Sequence, residues 1–207
     1  MASKALLEVS DLECIRGDRV LFSGLSFSLT EGEVLQVEGP NGSGKTSLLR
    51  ILCGLTLPEE GEVRWCGKDI QGHRSEFLSE VAYVGHAPGI KEELTPIENL
   101  RMAQALGRPR PGVTIEEALE SVGLYGFEDV PARTLSAGQR RRVALARLLV
   151  CQARLWVLDE PFTALDKRGI RKVERMLSNH TQDGGMAVIT SHHPVNLHCC
   201  RLTTLHL

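Results

Sequence analysis

The apolar residues of the chain gather in two kinds of run. Those at 34–37, 81–84, 155–158 and 187–190 are short and rich in β-branched side chains. Strands covered on both faces have this character, so the four predict a largely parallel sheet. Leu48, Leu49, Ile51, Leu52 and Leu55 repeat instead with helical spacing, and Gly54 stands near the expected stop. At the start, 6–9, 25–29 and 34–37 read as strands separated by the turn signals Arg16-Gly17-Asp18 and Glu31-Gly32-Glu33. A small antiparallel layer is therefore expected ahead of an α/β core. From 92 to 150 the pattern is mostly helical, clearest at 115–122 and 140–150, and Gly107-Arg108-Pro109-Arg110-Pro111-Gly112 breaks it. A last strand is read at 202–207, and no repeat or long linker intervenes. One domain over 1–207 is expected, with a helical subdomain at about 86–150.

Chemistry concentrates at the ends of these runs. Gly39-Pro40-Asn41-Gly42-Ser43-Gly44-Lys45-Thr46 follows the strand at 34–37 and opens the next helix. Backbone N–H groups of such a loop cradle phosphates, with Lys45 reaching the terminal phosphates and Thr46 a Mg²⁺ ion. Asp159 and Glu160 end the run at 155–158, at the carboxyl edge of a parallel sheet where ligands bind. A carboxylate there suits Mg²⁺ held through water, the role expected of Asp159, and Glu160 can polarise an attacking water. Leu135-Ser136-Ala137-Gly138-Gln139 precedes a cationic helix read from near Arg140. It is both a capped helix start and a second place where free N–H groups meet an anion.

Taken together, these segments resemble the ATPase subunits of ABC transporters. The resemblance implies a P-loop NTPase core with a mostly parallel sheet, an N-terminal antiparallel β layer and a helical signature subdomain, using ATP and Mg²⁺. Residues 135–139 look like the family signature, with Ala137 in place of a glycine. In the family the signature of one subunit covers the γ phosphate held by the other. The resemblance thus implies a head-to-tail homodimer in which Ser136, Gly138 and Gln139 act on the partner's ATP. Thr163-Ala164-Leu165-Asp166 resembles the D-loop that links the two sites, with Asp166 as its acidic residue and, equally, as a helix N-cap. His192 matches the switch histidine, which contacts the γ phosphate and orients water or Glu160.

Two positions depart from the family pattern. The Q-loop glutamine is replaced by His86, whose shorter side chain can donate or accept a hydrogen bond. Where many members place an aromatic against adenine the chain has Arg16, whose guanidinium can stack on a base. Further stretches, including Gly85-His86-Ala87-Pro88-Gly89-Ile90-Lys91 and Asp159-Glu160-Pro161-Phe162, are similar to the ATPase subunits of bacterial cytochrome c maturation systems. That closer resemblance implies a peripheral ATPase on the cytoplasmic side of the bacterial inner membrane. Its implied partners are an integral membrane permease subunit and a haem-delivery membrane subunit, and its implied work is haem export or release of a haem-loaded chaperone. An ABC motor for another exported cargo, or a non-transport ABC ATPase, is the alternative.

Composition narrows the field further. Lys and Arg total 24 against 26 acidic residues, a net charge of -2 without the basic footprint of a nucleic-acid partner. No run approaches the roughly 18 apolar residues of a membrane span, and Glu8 and Asp11 interrupt the start before a signal-peptide core forms. No direct membrane insertion is expected. Six scattered cysteines without a CxxC pair favour reduced thiols. His192, His193, His198, Cys199 and Cys200 offer five potential ligands in nine residues, but their spacing fits neither haem attachment nor the usual zinc patterns.

Overall fold

The computed structural model describes residues 6–191, 194–197 and 200–207. Two sheets form. β1 (Leu7–Arg16), β2 (Arg19–Leu29), β4 (Glu60–Trp65) and β5 (Lys68–Asp69) build an antiparallel layer in the order β2-β1-β4-β5. β3 (Glu33–Glu38), β6 (Val81–Val84), β7 (Leu155–Leu158), β8 (Met186–Thr190) and β9 (Arg201–His206) form a parallel sheet, β6-β7-β8-β3-β9. The antiparallel layer and parallel core are those expected of an ABC ATPase. β4 and β5 escape a reading of apolar runs because only Val63 and Trp65 of β4 are buried, one residue apart on a single face.

The parallel strands divide their side chains between two cores, as a period of two requires. Val34, Trp156, Leu158, Ala187 and Ile189 face a core completed by the helices that follow β6 and by the one between β7 and β8. Leu35, Val37, Leu155, Val157, Met186 and Val188 face the other, where α1 (Lys45–Leu52) and the antiparallel layer pack. β7 and β8 are buried throughout, which is why they read as unbroken apolar runs.

Between β6 and β7 lie α3 (Pro96–Leu106), α4 (Ile115–Val122) and α5 (Ala137–Val150), after the short α2 (Arg74–Leu78) that precedes β6. All three start at a capping box: Thr95 with Glu98, Thr114 with Glu117, and Ser136 with Gln139. The box explains why α5 begins at Ala137 and not near Arg140. Ser136 Oγ accepts the Gln139 N–H at 3.2 Å and Gln139 Oε1 accepts the Ser136 N–H at 2.8 Å, which fixes the first turn ahead of the basic run. α6 (Lys167–Gln182) is capped by Asp166, whose Oδ1 accepts the Gly169 N–H at 2.7 Å.

α6 also delivers a buried histidine. The His180 ring lies flat on Trp156, with centroids 3.8 Å apart and planes 5° from parallel, and its Nε2 is 3.1 Å from the Met186 carbonyl. Gly185 must be glycine here, since a Cβ would come within 2.2 Å of that ring. Burial, with Arg110 nearby adding to it, lowers the His180 pKa to about 4, against the Met186 contact and Asp183, which favour the charged ring. The unfolded chain therefore binds the extra proton between about pH 6.5 and 4, and stability falls as pH drops through that window. Lowering pH from 7 to 5 is expected to cost about 2 kcal/mol from this residue alone, read as a drop in the urea midpoint. His180→Phe, which keeps a ring against Trp156, should flatten that slope.

Candidate functional site

The register of the parallel sheet places the site. Val37 pairs with Thr190, Ile189 with Leu158, and Leu158 with Val84, so the carboxyl ends of four neighbouring strands finish side by side. Beyond that edge run the loop 39–44, Asp159-Glu160 and Gly85-His86, and among them opens a cleft of about 500 Å³.

α1 meets the cleft with its amino end bare. Its N-cap is Gly44 at φ 104°, no side chain caps it, and its first turn carries no acidic residue. Every other α-helix of eight or more residues among those described has a side-chain cap. The unmet N–H groups of α1 and the positive end of its dipole make a receptor for an anion. Ser43 Oγ is buried beside them with no hydrogen-bond partner among the described residues. Lys45 folds back over the loop, its Nζ donating to the Gly39 carbonyl at 2.7 Å and the Pro40 carbonyl at 3.0 Å.

Asp159 is 2 % exposed and joins three elements. Thr46 Oγ1 donates to its Oδ2 at 2.8 Å, and Thr190 Oγ1 donates to its Oδ1 at 2.8 Å. The Thr190 hydroxyl also accepts the Glu160 N–H at 2.7 Å. Thr46 and Asp159 thus present adjacent oxygens, the donor type that a hard divalent cation requires. Tyr83 stands nearby, its phenol pKa raised by burial and by the charge of Asp159.

Asn41, Gly42, Gly44, Lys45, Thr46, His86, Asp159 and Glu160 line one cleft, drawn from three separate parts of the chain. Leu21, Ser47 and Thr163, the last from the segment that resembles the D-loop, line it as well. Arg16 does not: it is exposed at the end of β1, paired with Arg19, and the hairpin reaches the cleft through Leu21. Ser136, Gly138 and Gln139 are not part of the lining either. Gly138 packs instead on the turn before α6, where a Cβ would come within 2.5 Å of the Ala164 carbonyl, and Ala164 itself has φ 63°. His192 lies outside the described residues, as do His193, His198 and Cys199. Cys200 is half-buried, packed against the helical-side core.

Thr190 and Arg141 are the residues sequence reading missed. Thr190 is the one polar residue of β8 and is fully buried, so a polar end to an apolar run was its only signal. Thr190→Val keeps the shape but strands the Glu160 N–H and removes a donor from Asp159. It is expected to lower unfolding free energy by about 1–3 kcal/mol in urea titration, with Thr190→Ser recovering most of the loss.

The ABC transporter family profile matches residues 22–163, which include the whole cleft apart from Leu21. The chain is 60% identical over 196 residues to the cytochrome c biogenesis ATP-binding export protein CcmA of Methylococcus capsulatus, covering 94% of this chain and 95% of that one. It is 52% identical over 196 residues to the protein of the same name in Nitrosospira multiformis, covering 92% and 93%. Among solved structures, one described as an ABC transporter ATP-binding protein from Pyrococcus furiosus aligns with TM-score 0.80 at 27% identity, over 96% of each chain. A dimeric ATP-binding cassette bound to ADP and Pi in a post-hydrolysis state shares the fold, with TM-score 0.80 at 24% identity over 91% of this chain and 88% of that one.

Proposed function

The chain belongs to the ABC transporter family, and we propose that it is the ATP-binding and hydrolysing subunit of a membrane complex of c-type cytochrome biogenesis, coupling turnover to haem export or haem-chaperone release. The observation that carries this reading is identity of 50–60% over at least 90% of the chain to relatives named for that process. Among the described residues no helix is long and apolar enough to cross a membrane. That fits a peripheral subunit held on the inner face of the bacterial membrane by a permease subunit, with a haem-delivery subunit in the same complex.

The cleft supplies the parts that ATP hydrolysis needs. The bare N–H groups of α1 and the loop 39–44 receive the β and γ phosphates. Lys45, which here donates to two loop carbonyls, turns its charge to them. Thr46 and Asp159 are the residues that would hold Mg²⁺, which neutralises phosphate charge when bound. Glu160 follows Asp159 in the lining of the cleft and takes the proton of the attacking water, with His86 lining the same cleft. By the family pattern His192 orients that water.

The capped start of α5 lies away from its own chain's cleft. We therefore assign Ser136, Gly138 and Gln139 to the ATP of a second copy arranged head to tail. In this reading residues of about 86–150 act as a subdomain that carries the signature toward the partner, and Asp166 stiffens the turn beneath it.

Glu160→Gln should leave ATP affinity within about threefold and cut turnover by two orders of magnitude or more, measured by phosphate release. Rapid turnover by that variant would refute the assigned base. In cells whose only copy carries Lys45→Ala, haem-stained gels should show c-type cytochromes lost while the variant is still expressed. Normal levels would leave an ABC motor with a different cargo.

A further inference from the structure

Arg141 occupies a position that none of the roles above uses. It lies on α5, five residues beyond Ser136, and is only 4% exposed. Its guanidinium reaches across to the segments after β6 and β7, where its hydrogen bonds are to backbone carbonyls. Nη1 donates to Gly85 at 2.6 Å, with a longer contact to His86 at 3.5 Å. Nη2 donates to Asp159 and, at 2.8 Å, to Glu160. One planar fork thus joins the segment after β6 to the segment after β7, while its own backbone belongs to the helix that begins at the signature.

The carbonyl it takes from Glu160 belongs to a strained residue. Glu160 has φ 51°, in the left-handed region that a residue with a Cβ adopts at a cost of about 1–3 kcal/mol. Such a conformation persists only when its surroundings over-determine it. Here the N–H is held by Thr190 Oγ1 at 2.7 Å and the C=O by Arg141, so both sides of the residue are pinned. Burial lowers the Arg141 pKa, and the charges of Asp159 and Glu160 oppose that shift. A lysine cannot substitute geometrically, because a single ammonium lacks the two diverging nitrogens that bridge two backbones.

We propose that Arg141 is a positioning residue for hydrolysis: it holds Glu160 in its left-handed conformation and ties that residue and the Gly85-His86 segment to the signature helix. A shift of α5 at its Ser136 end is thereby delivered to the carboxylate and to His86 together. The inference rests on the reading of Glu160 as the base.

The test uses the full chain with Arg141→Lys, Arg141→Gln and, in parallel, Glu160→Gln. For both Arg141 variants kcat should fall about tenfold or more, with KM for ATP within about threefold. Nucleotide recovered on the variant during turnover of α-labelled ATP should be mainly ATP, where the parent carries ADP as well. A strut that only supported the fold would lose binding along with rate. Parental turnover in Arg141→Lys, or loss of ATP binding in step with kcat, overturns the proposal. If the Gln variant fails to fold, the Lys variant, which keeps the charge, carries the test. Glu160→Gln inactive beside Arg141→Lys at parental rate would sink this inference alone, whereas a fast Glu160→Gln would sink the base reading beneath it.

Discussion

The buried carboxylate of Asp159 is the point on which the catalytic edge hangs. Its two oxygens accept from Thr46 on α1 and Thr190 at the end of β8, both at 2.8 Å, and its own backbone ends β7. A charge only 2 % exposed is tolerable because both oxygens are hydrogen-bonded. The same bonds fix the phosphate loop against the end of β7. Thr190 then passes the constraint on, since the hydroxyl that donates to Asp159 accepts the N–H of Glu160. The loop proposed to receive phosphate and the carboxylate assigned to water therefore share one hydrogen-bonded frame.

That frame needs a sheet whose strand ends coincide, and the two cores supply it. Alternate residues of β7 and β8 are locked into opposite hydrophobic layers, so a slip of one residue would turn both faces inside out. Register is thereby fixed where it matters, at Leu158 beside Ile189 and Val37 beside Thr190. The helices between β6 and β7 add a lever on one side of this edge. α5 packs on that face with Val143, Ala144 and Leu145 fully buried, and Arg141 projects from it to the backbone of the cleft.

The two anion-ready helix starts of the chain differ in a way that bears on assembly. α1 opens with no side-chain cap beside a buried serine hydroxyl that has no partner among the described residues, whereas α5 opens with its cap complete. The first is built to bind a charge deeply. The second offers a finished surface off the cleft, which suits contact with a ligand held by another copy.

Much of this was legible along the chain. The strands at 81–84 and 155–158 and the helix at 115–122 were read with the bounds the structure gives, because short apolar runs and capped amphipathic helices carry local signals. Gly39 to Thr46 and Asp159-Glu160 were legible as candidates because phosphate and metal chemistry demand particular residue types at fixed spacing. The paired oxygens of Thr46 and Asp159, 113 residues apart, were not. Nor were the double duty of Thr190, the left-handed Glu160 and the reach of Arg141, which stands in the sequence as one of three consecutive arginines. Sequence by itself determined the elements, the phosphate loop and the family resemblance, since these depend on near neighbours and residue type. Only the tertiary structure decided which distant polar groups meet, because hydrogen-bond partners are set by strand order and register, and those are settled by how the two cores pack.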